Sequence, residues 1–276
     1  MKTKLSCLPV SLYPEFYSGS RTVPQWAAEA KTLGLDMVDI NALFLKGKAD
    51  REIEQIRAEL EIPVFMVSAY SDFTHPDREE RQAVLETALH DIRAAQRIGA
   101  SWIRLTAGQA YPGESDADMI ERAYAGFAAC AEEAEQAGVG ILLENHSQPG
   151  AWKYPDFDFH PQRFAALWDR LKDLPVSINF DTANAFALGD WRAILSGVTG
   201  RIATVHLNDL SSVAPLGFAR IGEGIVPLEE MLRAVYDTGF AGAVCIEEAG
   251  FQGWPGVAAA AEYAKALLEK CGTSPV

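Results

Sequence analysis

Along residues 176–181, Val176, Ile178 and Phe180 alternate with Ser177, Asn179 and Asp181, the period of two of a strand whose successive side chains take opposite faces. The segments on either side read as helices. An example is 76–98, where Arg, Glu and Asp interleave with Ala, Val, Leu and Ile at helical spacing. Both faces of the strand are therefore expected to be covered, so its polar row points into a crowded interior. Strand patterns recur at 4–9, 36–40, 63–68, 101–106, 139–144, 176–181, 202–206 and 242–247, with helical patterns between them. Strand then helix, repeated eight times, predicts an α/β protein closed as a single (β/α)8 TIM barrel. Gly34, Gly99, Gly138 and Gly239 each follow a helical pattern and precede a strand, the place of a helix-ending glycine. An open doubly wound sheet is the alternative, but no GxGxxG follows the first strand.

Parity along the strands exposes a shared feature of their ends. In the fifth, Val139, Ile141 and Leu143 face the helices, and Gly140, Leu142 and Glu144 point inward. In the seventh, Ile202, Thr204 and His206 point inward; in the eighth, Ala243, Cys245 and Glu247 do. Four successive strands thus end in an inward Glu144, Asp181, His206 and Glu247, at the end of the barrel where active sites lie. Three carboxylates and an imidazole repel one another or compete for protons unless a cation holds them. An oxygen-rich set with one nitrogen suits one octahedral divalent ion, Mn²⁺ or Mg²⁺ first, Co²⁺ or Zn²⁺ as alternatives. Taken singly, each residue has a blander reading as a core group or a structural ion-pair partner. Asp39 and Arg104, inward on the second and fourth strands, are expected to form such a buried pair. Glu248 falls on the outward parity and reads as a supporting or surface group.

Loop residues complete the candidate site. His75 follows the third strand, His146 and Trp152 the fifth, Trp254 the eighth, and Phe16 and Tyr17 the first, all at the barrel mouth by topology. Aromatic rings there suit the flat face of a small-molecule ligand, with packing as the ordinary alternative. Arg220, beside Ile221-Gly222-Glu223-Gly224, is a candidate for a phosphate or carboxylate, and Asn184 and Asp209 join the expected substrate-binding set.

Composition narrows the partners. The 276 residues are 49% hydrophobic and show no linker composition, so a single domain over 1–276 is expected. A net charge of −14 disfavours nucleic acid and anionic membrane surfaces. Cys7, Cys130, Cys245 and Cys271 are scattered without a CxxC, which argues against a thiolate zinc cluster or a disulfide framework and for a reducing, cytoplasmic setting. The first apolar run is broken by Pro9 and no run approaches the ~18 apolar residues of a membrane span. A homo-oligomer is compatible with all of this.

Ile-Leu-Leu-Glu-Asn-His at 141–146, Phe-Asp-Thr-Ala-Asn at 180–184, His-Leu-Asn-Asp at 206–209, Ile-Gly-Glu-Gly at 221–224 and Cys-Ile-Glu-Glu at 245–248 carry a resemblance that spans nearly the whole chain. They resemble the xylose isomerase-like TIM barrels, the sugar phosphate isomerase/epimerase group that also contains apurinic endonucleases and dehydratases. The resemblance implies one divalent metal on Glu144, Asp181, His206 and Glu247, with the two glutamates moving a proton beside a metal-bound carbonyl. A metal-dependent isomerase or epimerase of a sugar or sugar phosphate follows, with a lyase or dehydratase on a keto-sugar or cyclic keto-polyol as the alternative. Two departures count against a ketose 3-epimerase. Asn184 stands where those epimerases carry a second histidine, and Ser212 where they carry an arginine. The endonuclease members use many histidines and three zinc ions, whereas this chain has five histidines and the wrong charge for DNA.

Overall fold

The computed structural model describes residues 3–147 and 152–272. Eight parallel strands form one sheet: β1 Leu5–Leu8, β2 Val38–Asn41, β3 Val64–Ser68, β4 Trp102–Leu105, β5 Gly140–Glu144, β6 Val176–Asp181, β7 Ile202–Leu207 and β10 Ala243–Glu247. Their order is β1-β10-β7-β6-β5-β4-β3-β2. The remaining seam, between β1 and β2, is drawn together by Asp36 N–H donating to Leu5 O at 2.9 Å and by Ser6 Oγ donating to Asp39 Oδ2 at 3.0 Å. The result is a nearly closed TIM barrel, with each expected strand present to within two residues at either end.

Helices α2 Val23–Thr32, α3 Asp50–Ala58, α4 Arg78–Ile98, α5 Asp116–Ala137, α6 Pro161–Leu171, α9 Leu228–Asp237 and α10 Gly253–Lys270 surround the sheet, with short α1 Tyr13–Ser18, α7 Thr182–Ala187 and α8 Trp191–Gly197 beside it. Their apolar stripes meet the outward rows of the strands, including Ile141, Leu143, Ile178, Phe180, Val205, Val244 and Ile246, in one continuous core. Asp77 and Ser115 cap α4 and α5 through side-chain oxygens, and Gly99 and Gly138 end those helices at φ 83° and 67°, which only glycine adopts freely. No helix among the described residues is long and apolar enough to cross a membrane.

Two features depart from the sequence expectation. The loop after β7 folds into a short antiparallel hairpin, β8 Leu210–Ser212 with β9 Gly217–Phe218, a pairing with no alternating pattern long enough to read. Asp39 and Arg104 share inward parity but not height. Register pairs Asp39 with Met66 and Met66 with Trp102, whereas Arg104 pairs with Ser68, two residues further up. Asp39 is bonded instead to Ser6 Oγ and Met66 N–H, and Arg104 turns to Glu144, so the expected pair does not form.

Gly140 shows how tightly the base of the barrel is filled, because a Cβ there would stand 2.3 Å from the Trp102 ring. Gly140→Ala is expected to lower unfolding stability by about 1–3 kcal/mol, the usual cost of overpacking, read from urea denaturation. An unchanged midpoint would mean that the indole moves aside freely.

Candidate metal centre

Glu144 ends β5, Asp181 ends β6, His206 lies near the end of β7 and Glu247 ends β10, four adjacent strands of the barrel. One donor atom from each lies within 4.8 Å of all the others, and all four side chains are buried. Their neighbours hold the carboxylates by one oxygen only. Asn179 Nδ2 donates to Glu144 Oε2 at 2.7 Å, while Asn179 Oδ1 accepts from Thr204 Oγ1 at 2.5 Å. Asn208 Nδ2 donates to Glu247 Oε2 at 3.1 Å. Asp181 Oδ1 accepts the Asn184 N–H at 2.6 Å and so caps α7, and the Asn145 amide clamps the Asp181 backbone with two bonds of 2.9 Å. Glu144 Oε1, Asp181 Oδ2 and both ring nitrogens of His206 are buried without a hydrogen-bond partner among the described residues.

His206 Nδ1 lies 3.3 Å from Glu144 Oε2 and 3.3 Å from Glu247 Oε2. Burial disfavours the charged ring, but Glu144, Cys245 and Glu247 outweigh it and raise the imidazole well above its ordinary value. Burial likewise pushes up the Glu144 carboxyl, yet His206 and Arg104 together hold it below the usual carboxylate range; the Glu247 carboxyl is also lowered, His206 outweighing burial. Asp181 goes the other way, raised by burial and then by Glu247 and Glu144. Both shifts favour the protonated forms of His206 and Asp181. Buried, unpartnered oxygen and nitrogen donors in this ratio fit a hard divalent ion. Glu247, not Glu248, belongs to the set. Glu248 is buried behind the strand end, where its Oε1 accepts the Gly250 N–H at 3.0 Å and burial raises its carboxyl, so it is no surface group.

The sequence profile of the xylose isomerase-like TIM barrel matches residues 27–270. The chain belongs to that family. No curated protein matches the sequence. Among solved structures the chain is similar to a D-tagatose 3-epimerase-like protein, at TM-score 0.77 and 17% identity over 99% of this chain and 98% of the other. It is also similar to the probable 3-DHS dehydratase AsbF of Bacillus anthracis, at 0.71 and 17% over 95% and 98%, and to an IOLI protein with a bound zinc atom, at 0.73 and 15% over 99% and 96%. At these identities the likeness is one of fold.

Around the centre of this xylose isomerase-like barrel, the expected loop residues divide. His146 is buried beside the cluster, its ring 5.7 Å from that of Tyr70 and its Nδ1 3.0 Å from Ser147 O. Burial, reinforced by Arg104, brings its imidazole down to about 4, so it is neutral at physiological pH. Asn184 is buried with Oδ1 unpartnered among the described residues, one helical turn beyond Asp181. Trp152 lies half-buried in the loop after β5. The others have different partners. His75 stands edge-on to Tyr111 and its Nδ1 accepts the Asp77 N–H; Trp254 lies under Arg21; Arg220 pairs with Glu223. Phe16 and Tyr17 join Tyr13 and Phe44 in an aromatic cluster on the first two loops. Asp209, expected to meet substrate, is spent on its own loop. Its two oxygens accept the N–H groups of Leu210, Gly222, Gly224 and Val226 at 2.9–3.1 Å. Arg104 is the residue that sequence reading set aside. Its inward parity was visible, but its height in the barrel was not.

Because burial and like-charged neighbours favour the protonated form of Asp181 and carboxylate neighbours that of His206, protons compete with a cation, and Mn²⁺ affinity is expected to rise with pH, with proton release on binding. Calorimetry in two buffers of different ionisation enthalpy counts the protons, and zero release would contradict the arrangement. Asp209→Ala is expected to speed amide exchange across residues 221–226 while leaving Mn²⁺ stoichiometry unchanged. Metal loss in that variant would show that the loop supports the centre directly.

Proposed function

We propose that this barrel is a divalent-metal-dependent isomerase or epimerase of a small carbohydrate, with Glu144 and Glu247 as its proton-transfer pair. The observation that carries the reading is the convergence of four buried donors, with orphaned atoms on three of them, at the strand ends. Glu144, Asp181, His206 and Glu247 are the proposed ligands, with Mn²⁺ or Mg²⁺ the best match to their hardness. A divalent ion there supplies polarisation of a substrate carbonyl, which acidifies the neighbouring C–H. Glu144 and Glu247 stand on strands separated by β6 and β7, so they approach a substrate from different directions. One carboxylate takes the proton and the other returns it. Return at the same carbon is epimerisation, and return at the next is isomerisation. Asn179 and Asn208 fix the rotamers of the pair through Oε2. Epimerase names among the similar structures support the reading.

A second reading, dehydration, is favoured by His146. A buried neutral imidazole next to the centre is a base independent of the ligand carboxylates, suited to loss of a β-hydroxyl. A dehydratase stands among the similar structures.

Incubated with Mn²⁺-loaded protein in deuterium oxide, a ketose substrate is expected to gain deuterium at the carbon beside its carbonyl. Glu144→Gln and Glu247→Gln, each checked for metal content first, are expected to lose net turnover by about 10²–10⁴-fold, while one of them still exchanges the proton on its intact side. Full turnover by either metal-loaded variant would sink the two-base scheme. An unsaturated or deoxy-keto product would favour dehydration.

A further inference from the structure

Arg104 is completely buried, and among the described residues it is the only buried arginine or lysine. Its Nε lies 3.4 Å from Glu144 Oε2, an oxygen that already accepts from Asn179, and the contact is too long and too poorly aimed to be a hydrogen bond. Glu144 and Tyr70 face the guanidinium, but Nε, Nη1 and Nη2 have no hydrogen-bond partner of ordinary geometry among the described residues. A guanidinium keeps its charge in proteins and carries five N–H donors, so a buried one with none of them satisfied is costly unless a ligand answers it. The Tyr70 ring lies over the guanidinium carbon at 4.7 Å and covers one face. A partner must therefore approach in the plane of the fork, toward Nη1 and Nη2. In-plane, two-point acceptance is how a guanidinium takes a planar or tetrahedral oxyanion, and with no second buried arginine or lysine among the described residues the single charge of Arg104 matches a carboxylate monoanion rather than a phosphate dianion.

We propose that Arg104 binds a substrate carboxylate, which makes the substrate class a keto or hydroxy acid of sugar type rather than a neutral sugar. The inference rests on the reading of the centre given above and sharpens it. Because Arg104 and the proposed ligand His206 both lie within 3.4 Å of the same Glu144 oxygen, the carboxylate sits only a few bonds from the carbonyl that reacts. Arg104 so placed both neutralises the substrate acid and fixes its orientation between Glu144 and Glu247. If the residue served only to balance the charge of Glu144, a lysine would replace it without effect and ligand choice would be unaffected.

The test is calorimetric titration of the Mn²⁺-loaded full chain with 2-keto-D-gluconate, with D-fructose, which has the same skeleton with a hydroxymethyl in place of the carboxylate, and with D-fructose 6-phosphate. The acid is expected to bind at least about tenfold more tightly than fructose. Arg104→Gln should weaken the acid by about tenfold or more relative to fructose, whatever it does to both through Glu144, with Arg104→Lys intermediate because it keeps the charge but loses the fork. Equal affinity for acid and fructose, no binding of the acid, tighter binding of the phosphate ester, or an acid preference that survives in Arg104→Gln would each overturn the proposal. Should Arg104→Gln fail to fold, Arg104→Lys decides: unchanged acid affinity refutes the fork. Metal content is measured first. Wild-type protein that takes up no Mn²⁺ counts against the metal reading alone, and the acid is then titrated against the metal-free chain, where Arg104→Gln must still weaken it.

Discussion

The constraint on which this barrel depends is the burial of negative charge at four adjacent strand ends. Glu144, Asp181 and Glu247 converge with His206 in a space closed to solvent, where isolated carboxylates are very unfavourable. The chain's own answer is partial. His206 and Arg104 lower the Glu144 carboxyl and His206 that of Glu247, but at Asp181 burial and the like charges of Glu247 and Glu144 outweigh His206. The proposed divalent ion would complete the balance. Stability and ligand capacity are thus two aspects of one electrostatic problem.

Neutral amides and hydroxyls solve the geometric half. Asn179 and Thr204 lie level on β6 and β7, so their bond and the bond from Asn179 to Glu144 form one line across the barrel. Asn145 and Asn208 lie just past the ends of β5 and β7 and fix Asp181 and Glu247. The bonds to Glu144 and Glu247 each use a single carboxylate oxygen, and Asn145 acts on the Asp181 backbone alone, so acceptors remain for a ligand. Asp181 adds a further constraint by capping α7, which ties its rotamer to the helix that carries Asn184.

Beyond the strand ends, the loops take different work. Asp209 gathers four backbone N–H groups and shapes the segment through Val226, so its charge is consumed in holding the loop after the β8–β9 hairpin. His146 and Tyr70 instead lie against each other, with Tyr70 also against Arg104, the one buried arginine or lysine among the described residues.

By itself, the sequence determined the strand-helix alternation and the face each strand residue takes, since a period of two and a period of 3.6 are local consequences of backbone geometry. That is why Glu144, Asp181, His206 and Glu247 were legible as one inward set. Only the tertiary structure decided height and partner. Asp39 and Arg104 have the same parity, but the register of β2, β3 and β4 sets them two residues apart, which sends Arg104 to Glu144 and Asp39 to Ser6. Asp209 and Arg220 read equally well as ligand groups in a loop, and only the hairpin and its backbone donors reveal where their charges go. Register and loop closure arise from contacts between residues distant in sequence, which no local pattern encodes.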